Sequence, residues 1–141
     1  MQGLYLPSII SSELPEMIIA VDTSMSIRND ELAQFAAEIS SILAGYQTTI
    51  HVVYCDARFQ GSQTFSSEDL PITLESKGGG GTSFIPPFEW VQENGIMPAC
   101  LIYLTDMKCC SFPSEPDFPV LWVSTIPVRQ TPSFGEVIEM S

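Results

Sequence analysis

The chain has 141 residues, of which 45% are hydrophobic and 16% charged, which is typical of one globular domain with a substantial core. Its formal charge is −12, from 17 acidic and 5 basic residues, so it lacks the Lys and Arg clusters that bind nucleic acid or an anionic membrane. No apolar stretch approaches the ~20 residues that cross a bilayer. Residues 1–12 carry no Lys or Arg, unlike the start of a signal peptide. We therefore expect a cytoplasmic protein.

One domain is predicted to follow a short tether. Residues 1–16 contain Pro7 and Pro15 with scattered serines, and they are predicted to be a leading segment or inter-domain tether. The domain itself would then span residues 17–141. The four cysteines are too few and too irregularly spaced for a disulfide framework, which is consistent with the cytoplasm.

The predicted elements alternate between strands and helices. Residues 17–21 and 99–105 are apolar throughout, as expected of parallel strands that are covered on both faces. A helix is predicted from the N-cap Asn29 to the stop at Gly45, because apolar residues recur there at three- and four-residue spacing. This order predicts an α/β fold, with a doubly wound, mostly parallel central sheet flanked by helices in a Rossmann-like arrangement. The remaining predicted elements are a strand at 48–54, a polar edge strand at 59–66, a helix at 86–93, and strands at 120–124 and 137–140.

Three short polar islands follow this order of elements. The run Asp22-Thr23-Ser24-Met25-Ser26 follows the first strand, the glycine run 78–81 leads into Thr82, and Asp106 closes the strand 99–105. In open α/β sheets, ligands bind in the crevice beyond the carboxyl ends of the parallel strands. We therefore expect Asp22 and Asp106 at the same edge of the sheet.

The oxygen atoms of these islands are suited to a hard divalent cation. Mg²⁺ prefers six oxygen ligands and keeps several of them as water. Ser24 and Ser26 would supply two hydroxyls from one turn, and Thr82 a third. Asp22 and Asp106 would supply two carboxylates that act largely through water, so the cation could accept one more oxygen from outside. The alternative is that these groups only cap turns and helices.

The same five residues resemble the metal-ion-dependent adhesion site (MIDAS) of the von Willebrand factor A (VWA) family. Asp22, Ser24 and Ser26 match its DxSxS motif, Thr82 its loop threonine, and Asp106 its strand-end aspartate. The resemblance covers nearly the whole chain, from about residue 16 to residue 140.

The resemblance narrows to one bacterial group, the VWA-like domain at the C-terminus of predicted metallopeptidase-like proteins that are often linked to MoxR-type AAA+ ATPases. It implies a VWA fold that binds Mg²⁺ or Mn²⁺, with a carboxylate from a protein partner completing the coordination. A MoxR-type ATPase is the partner class it suggests, and any peptidase activity would belong to an upstream domain. The segments that are similar to this group are 78–82, 88–90, 119–123 and 134–138.

Three residues depart from the pattern of the resembling family. Met25 and Met107 stand where glycine is common, and Ser83 stands where an acidic residue is frequent. Together with Phe84 and Phe112, the two methionines are expected to form an apolar, partner-binding rim around the metal. The alternative for Phe84 is burial at the start of the following helix. The methionines would also suit a family member that has lost its metal.

The sequence does not predict an enzyme. Its single histidine, His51, lies within a strand, and the chain has no HExxH motif, GxSxG elbow or P-loop lysine. We therefore interpret the chain as a metal-dependent, protein-binding module. One alternative is a hydrolase that uses the same cation as a Lewis acid, with Asp56 as the only candidate base. The other is a metal-free VWA docking domain.

Overall fold

The computed structural model describes residues 16–23, 28–44, 48–69, 71–74, 81–107, 112–127 and 131–139. These residues form an α/β fold, and the predicted elements are confirmed to within one or two residues at their ends. In chain order the elements are β1 (Glu16–Asp22), α1 (Asn29–Leu43), β2 (Thr49–Cys55), β3 (Phe59–Ser66), a 3-10 turn (Ser67–Asp69), α2 (Ile85–Glu93), β4 (Cys100–Thr105), β5 (Val120–Ser124) and β6 (Glu136–Glu139). The predicted tether lies outside the described residues, apart from Glu16.

The described strands form one sheet in the order β3-β2-β1-β4-β5-β6. All neighbours are parallel except β3, which runs antiparallel to β2 at one end of the sheet. The chain therefore builds outward from β1 through β2 and β3, then crosses to β4 on the other side of β1. In open α/β sheets, ligands bind beyond the carboxyl ends of the strands where this reversal occurs, which here is between β1 and β4.

The apolar strands contribute alternate residues to two separate cores, one on each face of the sheet. On one face Ile19 and Val21 pack with residues of α1, and on the other Ile18 and Ala20 pack with residues of α2. Because β1 is covered on both faces, both sets of its side chains must be apolar, which is why the run lacks the usual alternation.

The edge strand β3 has the polar pattern that the sequence predicts. Strand β3 alternates between exposed and half-buried residues, which confirms the prediction of a polar strand at an edge.

The N-cap of α1 is Arg28 and not Asn29, which is a correction of one residue. The side chain of Glu31 explains the shift, because its Oε1 accepts a hydrogen bond of 2.9 Å from the backbone N–H of Arg28. Gly45 lies outside the described residues.

Two glycines with positive φ provide a matched test of the packing around β5. Gly135 has a φ of 78°, and a Cβ at this position would lie 2.7 Å from the carbonyl oxygen of Val120. Gly95 has a φ of 65°, but a Cβ added there would have nothing within 4 Å. Both positions strain an L-residue by about 1–2 kcal/mol, and only Gly135 adds a clash with backbone.

We expect Gly135→Ala to lower the free energy of unfolding by about 1 kcal/mol more than Gly95→Ala. Urea denaturation of both variants would measure this difference, provided that the two m-values agree. Equal losses in the two variants would contradict the close approach of residue 135 to β5.

Candidate metal centre

Strands β1, β2, β4 and β5 all end at one edge of the sheet, which we call the carboxyl edge. A buried hydrogen bond joins two neighbouring strands there. Asp22 ends β1 and Thr105 ends β4, and their side chains are 1% and 0% exposed. The Thr105 hydroxyl donates to Asp22 Oδ2 at 2.7 Å, and its oxygen accepts from the backbone N–H of Met107 at 3.1 Å. Thr105 therefore orients one oxygen of the Asp22 carboxylate from the adjacent strand.

A second carboxylate is buried one residue further along. Asp106 follows Thr105 directly and is 2% exposed. Val21 pairs with Leu104 across the two strands, so Asp22 lies beside Thr105 and Asp106 comes next at the same edge. Removing two carboxylates from water is costly, and a cation between them offsets both desolvation and mutual repulsion. The structure thus brings Asp22 and Asp106 to one edge, as the sequence predicts.

The end of the glycine-rich loop reaches this edge from the other side of β1. The backbone N–H of Ser83 donates to the carbonyl oxygen of Asp56 at 3.1 Å, just beyond the end of β2. The Tyr103 hydroxyl donates to the carbonyl oxygen of Ser83 at 3.4 Å. These two bonds fix the backbone next to Thr82, so the loop threonine also lies at the carboxyl edge. Ser24, Met25, Ser26 and Gly78 to Gly80 lie outside the described residues.

Two buried hydroxyls at the same edge have no hydrogen-bond partner. The hydroxyl oxygens of Thr23 and Thr125 are the only buried side-chain polar atoms of the described residues in this state. Both residues continue the hydrogen bonding of the sheet just beyond a strand end. The backbone N–H of Thr23 donates to the carbonyl oxygen of Cys55 at 2.9 Å, and the backbone N–H of Thr125 donates to the carbonyl oxygen of Thr105 at 3.0 Å. A buried hydroxyl left unpaired costs about 1–3 kcal/mol. A hydrated cation near this edge would supply polar partners, so these residues fit a metal.

The candidate donors at this edge are oxygen atoms of carboxylates and hydroxyls. Within the described residues, no group of three or more His, Cys, Asp and Glu side chains is placed to hold an ion. A cation at this edge would therefore depend on hydroxyls as well as on Asp22 and Asp106, and all-oxygen ligands suit Mg²⁺ or Mn²⁺. Burial above all, and then the neighbouring Asp56 charge, raises the pKa of the Cys55 thiol to about 12, so this sulfur stays neutral.

Phe84 and Met107 do not form the exposed rim that the sequence suggested. They are 0% and 4% exposed, and both belong to the core on the α2 face of the sheet. Phe84 packs edge-on against Tyr103, with ring centroids 5.3 Å apart. Met107 has a φ of 64°, which glycine adopts without strain. The structure therefore assigns both side chains to the core, while Phe112 is half-buried against Phe84 and Met25 is outside the described residues.

Asp56 has a structural role that accounts for its position. Its Oδ1 accepts from the backbone N–H of Arg58 and from Gln60 Nε2, both at 2.9 Å. These bonds hold the tight turn between β2 and β3. One oxygen of the carboxylate that the hydrolase alternative needs as a base is thus engaged in a turn.

Comparison with known proteins identifies the family to which the sequence is similar. The sequence model of a family described as a VWA-like domain (DUF2201) matches residues 17–141. No curated protein matches the chain. Within the part of the chain that the structure describes, no helix is both long enough and apolar enough to cross a membrane.

Proposed function

Because this chain belongs to the VWA-like domain family (DUF2201), which supports a protein-interaction module, we propose that its carboxyl edge binds Mg²⁺ or Mn²⁺ and docks an acidic side chain of a partner protein. The observation that carries this proposal is the pair of buried carboxylates, Asp22 and Asp106, at the reversal point of the sheet. The fully buried hydroxyl of Thr105 orients the first of them.

Each residue of the proposed site has a defined part. Asp22 and Asp106 would hold the cation, Thr82 would contribute a hydroxyl, and Ser24 and Ser26 are assigned by their sequence positions alone. When bound, the cation supplies a coordination position that one oxygen of an incoming carboxylate can fill.

The charge of the chain explains why a cation is needed for such a partner. The protein carries a formal charge of −12, so an acidic side chain approaching it is repelled at long range. Two carboxylates and neutral hydroxyls leave a bound divalent cation locally neutral. A partner carboxylate can therefore be accepted at this position only when the cation is bound, which makes the interaction metal-dependent.

A MoxR-type AAA+ ATPase is the partner class that we propose. Support for this class comes from the sequence segments that are similar to the bacterial VWA-like group linked to such ATPases. A pull-down of the purified ATPase with the chain would test it, in Mg²⁺ and again in EDTA.

We expect Mg²⁺ or Mn²⁺ to stabilise the wild-type protein against heat and to leave the Asp22→Asn variant unchanged. At roughly ten times the Kd, mass action adds about 1.4 kcal/mol, or about 3–6 °C in Tm for a domain of this size. The melts would be recorded in EDTA and then with each metal. Glu38→Gln removes an exposed carboxylate from α1 and serves as the matched control, with the wild-type response expected.

Two outcomes would count against the metal site. The absence of a shift in wild type would favour the metal-free docking domain. An equal shift in wild type and Asp22→Asn would mean that the ion binds elsewhere.

A further inference from the structure

A groove of about 430 Å³ lies between α2 and the proline-rich segment 113–118 that leads into β5. Its floor is apolar. Phe88 and Phe118 lie parallel across it, with centroids 6.3 Å apart and planes 9° apart, and Val91 is buried beneath. Met97 stands at the groove with 70% of its surface exposed. An exposed methionine beside an aromatic floor offers an adaptable contact for another apolar side chain.

The lip of this groove is acidic. Glu89 on α2 and Glu115 and Asp117 on the opposite segment line the groove, and all three are exposed. No Lys, Arg or His is among the lining residues. The ion pairs of the described part of the chain, Arg28 with Asp30 and His51 with Glu16, involve none of them. Glu89 also lines a neighbouring pocket that contains Arg58, so within the described residues Glu115 and Asp117 are the two carboxylates of the lip that share no pocket with a basic side chain.

We propose that the groove binds a basic segment of a partner protein, with a large apolar side chain over Phe88 and Phe118 and flanking Lys or Arg side chains facing Glu89, Glu115 and Asp117. The volume is within the range of ligand-binding pockets, which is about 300–1,000 Å³. Charge complementarity selects this occupant, because opposite charges speed association and exclude wrong partners. A second copy of this chain carries a formal charge of −12 and is a poor fit. The groove is independent of the proposed metal edge, since it needs no cation.

A fluorescein-labelled octapeptide, Gly-Lys-Arg-Leu-Leu-Arg-Lys-Gly, would test this proposal by fluorescence anisotropy against the full chain. The buffer contains EDTA, so that the metal edge cannot contribute to binding. We expect saturable binding that weakens about tenfold in the double variant Glu115→Gln/Asp117→Asn, from the loss of two charge contacts. Met97→Ser should also weaken binding, without loss of folding, because the side chain is exposed.

The matched control removes two exposed carboxylates away from the groove, Glu38→Gln/Glu68→Gln. It should bind like wild type. Equal weakening in the two double variants would overturn the proposal, since it would show general attraction to an acidic protein. Equal affinity for a peptide with both leucines replaced by serine would overturn it as well, because the apolar floor would then be unused. A failure to bind in EDTA would overturn the groove and leave the metal edge untouched.

Discussion

Replacing Trp122 with alanine will lower the free energy of unfolding by about 3–5 kcal/mol, the range for truncating a large buried aromatic side chain. Trp122 lies on β5 and is 0% exposed. Its indole N–H donates to the carbonyl oxygen of Phe134 at 2.9 Å, so the truncation also leaves a buried acceptor unpaired. The side chain is surrounded by five aromatic rings at centroid distances of 5.0–6.3 Å, those of Phe84, Tyr103, Phe112, Phe134 and Phe88.

This loss is large because the whole free energy of unfolding of a domain is about 5–15 kcal/mol. Urea denaturation followed by circular dichroism would measure it. Trp90→Ala is the matched control, because Trp90 is half-buried and its only ring contact in the described chain is with His51, at 5.7 Å. Trp122→Phe keeps a ring and loses the hydrogen bond, so it should fall between Trp122→Ala and wild type. A Trp122→Ala variant as stable as Trp90→Ala would show that this core does not depend on the aromatic cluster.

The strands could be predicted because the number of buried faces of a strand determines its pattern of apolar residues. The central strand β1 has no polar residue between Met17 and Val21, since both of its faces are covered. The edge strand β3 alternates, because one face is in contact with solvent. The positions of Asp22 and Asp106 followed from the same logic, since each comes at the carboxyl end of an apolar run and such ends meet at one edge.

The orientation of individual side chains could not be predicted. Met107 adjoins Asp106, so it was expected at the exposed rim, but a φ of 64° and a bond from its N–H to Thr105 accompany its burial in the core. For Phe84 the sequence leaves rim and core open, and the structure buries its ring against Tyr103 and Trp122. Backbone angle and long-range packing decide both outcomes, and neither is encoded in local spacing.

Thr105 was the site residue that sequence reasoning missed. It ends a run of apolar residues, so the sequence pattern predicts only that it is the last residue of a strand. The strand register supplies the missing signal: Val21 pairs with Leu104, so the next residues, Asp22 and Thr105, must be neighbours. A hydroxyl beside a strand-end aspartate in adjacent parallel strands is a pattern that could have been found once the two strands were paired.

The Thr105→Val variant should lose both stability and its response to metal. Valine has nearly the same shape and favours strands, so the backbone of β4 should be kept. The change removes the donor to the buried Asp22 carboxylate and the acceptor for the Met107 N–H. Hydrogen bonds to charged groups are worth about 1.5–3 kcal/mol, and we expect a loss of that order in the free energy of unfolding.

The response to metal distinguishes a role of Thr105 in orienting Asp22 from a role in stability alone. If Thr105 orients Asp22 for a cation, Mg²⁺ or Mn²⁺ should raise the Tm of Thr105→Val by much less than the Tm of wild type, and Thr105→Ser should restore the response. Thr64→Val is the matched control, since Thr64 is exposed on β3 and its hydroxyl lies 3.2 Å from His51 Nδ1, away from the carboxyl edge. If Thr105→Val is destabilised but metal raises its Tm as much as that of wild type, Thr105 stabilises the fold and does not orient Asp22 for a cation. If Thr105→Val changes neither the stability nor the metal response, the hydrogen bond between β1 and β4 does not hold the Asp22 carboxylate. The proposed metal edge would then lose the contact that defines its geometry.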